Sequence, residues 1–156
     1  MSTNLSDSSI VFCKNFDSLS AKEIFDILQL RAKVFIVEQN CAYLDPDDKD
    51  KESFHLGIYL DNTLIACSRL LPEGISYKTY CSIGRVCTHL EFRSRKIGIE
   101  LMNYSLEYIE TLFPGVPIKI SAQSYLINFY NKFGFEVTGE EYMEDNIPHT
   151  AMIKIK

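Results

Sequence analysis

A short basic segment of the chain has the chemistry to bind a phosphate or pyrophosphate. Arg93, Arg95 and Lys96 lie within four consecutive residues, directly before a segment with helical periodicity. The first turn of a helix has N–H groups without intrahelical partners and a partial positive charge, so it attracts anions. In a chain with a net charge of −5, this cluster of cations predicts an anion site. The alternative is a solvated basic surface without a ligand.

Cys87 and His89 form a second candidate, a thiol and an imidazole on a predicted strand. Residues two apart on a strand face the same side, so the imidazole is placed to act as a base. Nothing in the sequence around Cys87 indicates an activated thiol, and cysteines on strands are usually small buried fillers. Covalent catalysis with Cys87 as the nucleophile is therefore the weaker interpretation.

No metal site is predicted. His55 has no partner at ligand spacing, and the five cysteines contain no C-x-x-C pair. The acidic run over 45–52 resembles a calcium loop, but Lys49 stands where an oxygen ligand is needed and no glycine follows. We interpret this run as a charged loop exposed to solvent. The alternative is that it binds a cationic ligand.

Hydrophobic periodicity predicts the elements that position these groups. A capping box at Ser20–Glu23 starts a helix whose apolar stripe is formed by Phe25, Leu28, Ala32 and Phe35. Turn residues at 61–63 suit a tight hairpin. Further strands are predicted over 10–12, 55–60, 64–71, 81–89, 117–122, 135–143 and 149–155, and helices over 101–113 and 126–133. This order indicates an α+β fold with a mixed sheet, in a single domain over 1–156 with a loose segment over 1–9.

Composition narrows the class of protein. The chain of 156 residues has 46% hydrophobic and 24% charged residues, which is typical of one globular domain. Its acidic balance argues against a nucleic-acid partner. The N-terminus does not resemble a signal peptide, and no apolar run is long enough for a membrane helix. Cysteines without a disulfide spacing favour the cytoplasm.

The basic segment also carries a family motif. Arg93-Ser94-Arg95-Lys96-Ile97-Gly98 resembles the acetyl-CoA motif of the GCN5-related N-acetyltransferases (GNAT), Q/R-x-x-G-x-G/A. The first and the last residue match, whereas Lys96 replaces the middle glycine. A lysine at this position still offers a backbone N–H, and its side chain adds charge.

A second segment strengthens the resemblance. The run from Gln123 to Phe135 is similar to a later GNAT motif that ends like F-Y-x-K-x-G-F, with Gln123 where the family often has asparagine. The two motifs occur in the family's order. Four further segments resemble the ElaA-like branch, so that the resemblance covers most of residues 25–155: Arg31–Gln39, Gly84–Val86, Ala122–Gln123 and Ile147–His149.

The resemblance implies a GNAT-like acyl-CoA N-acyltransferase fold, with a mixed sheet that is splayed in the middle and flanked by helices. It implies acetyl-CoA as co-substrate in the wedge between the strand ending near Thr88 and the strand over 117–122. Tyr130 takes the position of the general acid that protonates the leaving thiolate. The cofactor-binding residues expected from the motifs are Val86, Cys87, Thr88, Arg93, Ser94, Arg95, Lys96, Ile97, Gly98, Ile99 and Gln123.

The acceptor is expected on the opposite side of the sheet, as a primary amine of a small molecule or a peptide. Arg31 and Gln39 are expected to border it. Glu38 and His149 are candidates for a base or for positioning the acceptor, and a relay through water is equally open. The family resemblance also implies a possible homodimer.

The sequence is compatible with three alternative interpretations. In the first, the chain is a non-catalytic acyl-CoA-binding module, for which the replacement of glycine by Lys96 leaves room. In the second, it is a protein-interaction module that uses the 38–53 segment. In the third, it is the same enzyme acting on a larger acyl group.

Overall fold

Two antiparallel sheets that meet at one edge form the framework of the protein. The computed structural model describes residues 8–155. The first sheet has the order β1-β2-β3-β4 and the second the order β5-β7-β6. The strands are β1 (Ser9–Asn15), β2 (Phe54–Leu60), β3 (Thr63–Leu71), β4 (Ser82–Thr88), β5 (Ile118–Gln123), β6 (Glu136–Glu144) and β7 (Ile147–Lys154). The helices are α1 (Ala21–Arg31), α2 (Ile97–Leu112) and α3 (Ile127–Asn131).

Short helical segments complete the chain. A π-helical segment, Ala32–Glu38, continues α1, and short 3₁₀ segments occur at Phe16–Ser18, Asp48–Glu52, Leu90–Arg95 and Ser124–Leu126. The predicted loose segment falls mostly on residues 1–7, outside the described residues, whereas Ser9 already belongs to β1. No helix in the described part of the chain is long and apolar enough to cross a membrane.

The two sheets join through a single parallel contact and then separate. The N–H of Cys81 donates to the carbonyl of Pro117 at 3.1 Å, and the N–H of Lys119 donates to the carbonyl of Cys81 at 3.0 Å. Among residues 8–155, β4 and β5 have no further paired residues after this bridge. The predicted α+β fold with a mixed, splayed sheet is confirmed, and the splay lies between the two expected strands.

Helices cover both faces of the first sheet. On one face, α1 packs Ile27 and Leu30 with Phe12 of β1 and Leu64 of β3. On the other face, α2 buries Leu101 against β2 and β3. Burial of these side chains on both faces is the main source of stability for a domain of this size.

The buried face of α1 differs from the predicted stripe. The capping box at Ser20 is present, but Phe25 is 63% exposed. The buried residues of this helix are Ile27, Leu30 and Arg31. A charged residue does not count as apolar in a hydrophobicity pattern, so the stripe through Arg31 was missed.

Three arginines and three aspartates explain how Arg31 is buried. We call Arg31, Arg69, Arg85, Asp45, Asp47 and Asp50 the arginine–aspartate cluster. Arg31 donates from Nε to Asp45 at 2.8 Å and from Nη1 to Asp50 at 2.8 Å. Arg69 donates from Nη1 to Asp47 at 2.6 Å and to Asp50 at 3.0 Å. The formal charges of the six side chains cancel.

The cluster corrects the interpretation of the 45–52 run as a solvated loop. Asp45 is 4% exposed and Asp50 is 7% exposed. Asp45 is paired with Arg31 and Arg85, and Asp50 is paired with Arg31 and Arg69. Charged side chains are almost never buried unless they are paired. An arginine within the apolar β3 strand was therefore the signal in the sequence that an acidic partner had to lie elsewhere.

Replacing Asp50 by asparagine tests how much the cluster stabilises the fold. The variant keeps the size of the side chain and removes the charge that Arg31 and Arg69 share. We expect the free energy of unfolding at pH 7 to fall by about 3 kcal/mol, because a buried charge without its partner is strongly destabilising. Urea unfolding followed by circular dichroism measures it, and an unchanged midpoint would contradict the expectation.

The pH dependence of the same variant provides a second readout. Burial alone raises the pKa of Asp50, but the hydrogen bond from Arg31 and the charges of Arg31 and Arg69 outweigh it and lower this pKa from 3.8 to about 2. Because the folded-state pKa is the lower one, the ionised carboxylate stabilises the fold above about pH 4, and this contribution is lost between about pH 4 and 2. The stability difference between wild type and D50N should shrink over that window.

Candidate active site

The divergence of β4 and β5 opens a cleft of about 940 Å³. The cleft is lined by residues of β4 and β5, of the Ser124–Leu126 turn and α3, of the π-helical segment and of the β6–β7 hairpin. Among the predicted site residues, those that line it are Glu38, Gln39, Val86, Cys87, Thr88, Arg93, Gly98, Gln123, Tyr130 and His149. Residues from distant parts of the sequence therefore meet in one cleft.

A bulge in β4 shapes one wall. Cys67 pairs with Cys87 and Arg69 pairs with Gly84, so three steps along β4 match two along β3. Arg85 lies within the bulge and has a positive φ of 49°. A bulge leaves a residue outside the ladder and bends the strand. Here it brings the backbone around Val86 to the cleft.

The basic segment lies at one mouth of the cleft. Lys96 has φ 58° and ψ 26°, the left-handed conformation that favours glycine, and α2 begins directly after it. The lysine thus keeps the backbone turn expected of the glycine in the motif. Arg93 lines the cleft, whereas the guanidinium of Arg95 stacks 5.0 Å from the ring of Phe92.

The other residues of this motif have different surroundings. Ser94, Arg95 and Lys96 are exposed beside the mouth and are not part of the cleft lining. Ile97 is 1% exposed and belongs to the core under α2, and Ile99 is partly exposed on the helix surface. Neither residue is part of the cleft lining.

Glu38 and Arg93 form an ion pair. Arg93 Nη2 donates to Glu38 Oε2 at 2.8 Å, and Arg93 Nε donates to the carbonyl of Thr88 at 3.2 Å. Both side chains are about one third exposed. The expected base and one of the expected phosphate ligands are thus in direct contact, which the sequence did not indicate.

Tyr130 lies on α3 and is 7% exposed. Its ring packs edge-on against Phe129 and Phe135, with centroids 5.2 and 6.1 Å away. Burial raises the pKa of its phenol above the usual value. The side chain therefore stays protonated at neutral pH, as a proton donor requires.

His149 and Gln123 occupy the end of the cleft next to β6. His149 Nδ1 lies 2.7 Å from the carbonyl of Ile147, and its Nε2 lies 3.6 Å from a carboxylate oxygen of Glu144. A carbonyl only accepts, so Nδ1 carries the proton and Nε2 is the basic nitrogen of the neutral ring. Gln123 Nε2 donates to Gln39 Oε1 at 3.3 Å, which joins β5 to the π-helical segment.

Arg31 does not border the cleft as expected for an acceptor ligand. It is 1% exposed, and its guanidinium is bound by Asp45 and Asp50. Arg85, which was not among the predicted site residues, does line the cleft. Arg85 was present in the ElaA-like segment Gly84–Val86, but nothing in the local sequence indicated the distant aspartates that hold it.

Cys87 has a structural setting. Its Sγ lies 3.5 Å from Cys67 Sγ, and it is 4% exposed. The contact with Cys67 and burial raise the pKa of the Cys87 thiol. His89 does not assist it, because His89 Nδ1 accepts the N–H of Glu91 at 3.2 Å. These contacts argue against a covalent acyl-cysteine mechanism.

Comparison with known proteins agrees with this geometry. A sequence model of the acetyltransferase (GNAT) domain matches residues 34–156. The chain is similar to protein ElaA of Escherichia coli K12, with 38% identity over 138 residues that cover 87% of this chain and 90% of the relative.

Solved structures show the same arrangement. A structure of an acyl-CoA N-acyltransferase from Pseudomonas aeruginosa has a TM-score of 0.89 and 36% identity, covering 94% of this chain and 99% of the other. The crystal structure of Escherichia coli ElaA has a TM-score of 0.87 and 34% identity, with the same coverage. The chain therefore belongs to the GNAT acetyltransferase family, as an ElaA-like acyltransferase.

Proposed function

We propose that this acyltransferase moves the acetyl group of acetyl-CoA directly to a primary amine of a small molecule or a peptide. The observation that carries the proposal is the cleft between β4 and β5, which combines the β4 bulge, the basic mouth and Tyr130 in one space. The five cysteines are free thiols, which fits the cytoplasmic location that we propose. A homodimer remains a proposal from the family resemblance.

The donor fits the cleft in one direction. Its pyrophosphate would lie at the start of α2, where Arg93 and the backbone of residues 93–98 offer charge and N–H donors. The pantetheine arm would run along Val86–Thr88 of β4 toward Tyr130. In this orientation the anionic pyrophosphate would meet the cations of the basic segment, and the extended pantetheine arm would meet the edge of β4.

Transfer requires three proton and charge movements. The amine must be neutral to attack the carbonyl carbon, and the carbonyl oxygen gains negative charge that backbone N–H groups near Val86 and Cys87 would stabilise. The C–S bond then breaks, and the Tyr130 phenol would donate its proton to the leaving thiolate. His149 Nε2 or Glu38 would take the proton from the amine, directly or through water.

A calorimetric titration tests the donor site. We expect wild type to bind acetyl-CoA in the micromolar range, and Arg93→Ala to weaken binding by about tenfold, because a charge-assisted contact to phosphate is lost. Dephospho-CoA should bind similarly, because it keeps the pyrophosphate, whereas adenosine should not bind.

Lys51→Ala is the matched control, because it removes one exposed cation that does not line the cleft. Equal affinity of wild type and R93A would remove Arg93 from the donor site. Absence of any binding at millimolar acetyl-CoA would contradict the proposed function.

Glu38→Gln is expected to change donor affinity in the opposite direction. In the free protein Glu38 holds Arg93 at 2.8 Å and so competes with phosphate oxygens for the same guanidinium. An ion pair this exposed is weak, so we expect E38Q to bind acetyl-CoA only about two- to threefold more tightly. Weaker binding by E38Q would show that Glu38 does not act as a competitor.

Tyr130→Phe tests proton donation to the leaving group. With an amine found by screening acetyl-CoA consumption, we expect kcat to fall by about 10²-fold while acetyl-CoA affinity stays within about twofold. Tyr104→Phe on α2 is the control for loss of a tyrosine hydroxyl. An unchanged kcat in Y130F across pH 6–9 (a range chosen around neutrality) would eliminate Tyr130 as the acid.

The same assays separate the alternative of a non-catalytic acyl-CoA-binding or protein-interaction module. A binding module predicts acetyl-CoA affinity without turnover with any amine. An interaction module predicts no affinity for acetyl-CoA. The position of Tyr130 at the cleft, with a phenol that stays protonated, supports the catalytic alternative.

A further inference from the structure

We propose that Arg85 is a positioning residue for acyl transfer, which holds the β4 bulge so that its backbone N–H groups meet the carbonyl oxygen of the bound thioester. Asp45 and Asp47 hold Arg85 in turn. This inference rests on the proposed function, because it concerns the same cleft and the same donor. It assigns to Arg85 a role that acts through the backbone of β4.

The first observation is the backbone of Arg85. It has a φ of 49°, in the left-handed region where a side chain on Cα is unfavourable and glycine is the usual residue. Gly84 precedes it directly, yet the left-handed position is taken by the arginine. Such a conformation persists only where the surroundings hold it in place.

The second observation is the set of contacts that hold the side chain. Arg85 Nε donates to Asp45 Oδ1 at 2.8 Å, and Nη2 donates to the Asp45 carbonyl at 2.8 Å. Nη2 also lies 3.5 Å from Asp47 Oδ2, and the guanidinium lies 6.0 Å from the ring centroid of Tyr43. Two short hydrogen bonds to one residue fix the direction of a planar guanidinium.

The third observation is that the anchor is itself rigid. Asp45 is 4% exposed, and its other carboxylate oxygen accepts from Arg31 Nε at 2.8 Å. Tyr43 donates its hydroxyl to the oxygen that Arg85 also binds, at 3.2 Å. A buried carboxylate with this many donors has one orientation, so the position of Arg85 is tied to α1 through Arg31.

The geometric consequence concerns the bulge. Three steps along β4 match two along β3, and Arg85 and Val86 have no partner residue there, so the ladder alone does not determine where the N–H of Val86 points. Donors that stabilise a developing charge must be fixed before the reaction. The Arg85–Asp45 contact supplies that constraint.

The experiment compares Arg85→Gln and Arg85→Gly with Asp50→Asn. Arg85→Gln removes the charge and the bidentate contact. Arg85→Gly removes the side chain but suits the left-handed backbone, so it adds no backbone strain at the bulge. Asp50→Asn disturbs the same cluster through Arg31 and Arg69 and has no contact with Arg85, so it controls for loss of stability alone.

Two readouts report on the carbonyl rather than on folding. The first is the ¹³C chemical shift of acetyl-CoA labelled at the thioester carbonyl, bound to each protein. The second is the ratio of the dissociation constants for CoA and acetyl-CoA, which we expect to be about fivefold in favour of acetyl-CoA in wild type, as one hydrogen bond to the carbonyl contributes.

In both Arg85 variants we expect the carbonyl shift to return toward that of free acetyl-CoA and the ratio to approach one, with CoA affinity unchanged. D50N should keep the wild-type shift and ratio. Wild-type values in R85Q and R85G would overturn this inference while leaving the proposed function intact. If wild type binds neither CoA nor acetyl-CoA, the proposed function and this inference both fail.

Discussion

The backbone contact between Cys81 and Ile118 determines where the cleft of this protein opens. Two hydrogen bonds hold β4 and β5 together at one end, and the bulge at Arg85 then directs β4 away from its neighbour. Backbone groups on diverging strands lose their ladder partners and become available to a ligand. The cleft, its N–H donors and the approach of Tyr130 all follow from this divergence.

Positive and negative side chains are distributed unevenly around the cleft, which the net charge of −5 does not reveal. The opposite charges of the arginine–aspartate cluster pair with one another. Four of its six side chains are buried, which requires such close pairing: Arg31, Arg69, Asp45 and Asp50. The cations of the basic segment remain at the mouth, where Glu38 is the one carboxylate found paired with Arg93 among the described residues. An acidic protein can thus present a local anion site without a basic overall surface.

Family membership and local geometry support each other at Lys96. The motif departs from the family pattern there, yet Lys96 adopts the left-handed conformation that favours glycine. A non-glycine residue in this region has an energetic cost of about 1–2 kcal/mol. The backbone at the start of α2 therefore has a shape that suits the glycine of the motif, although a lysine occupies the position.

The sequence by itself determined the features that depend on neighbouring residues. The capping box at Ser20, the hairpin turn at 61–62 and the order of strands and helices are present as predicted, because capping and turn formation are local. The two motifs, at residues 93–98 and 123–135, are short contiguous runs, so they too could be read from the sequence. They identified the family and, through it, the splayed sheet.

Only the tertiary structure decided which charged residues are buried and which line the cleft. Asp45 is separated in the sequence from Arg31 by 14 residues and from Arg85 by 40 residues. No periodic pattern links positions so far apart. The exposure of Phe25, the pairing of Arg93 with Glu38 and the anchoring of Arg85 likewise depend on contacts across the fold. Burial makes pairing obligatory for a charge, but the choice of partner is set by which segments the packed sheet brings together.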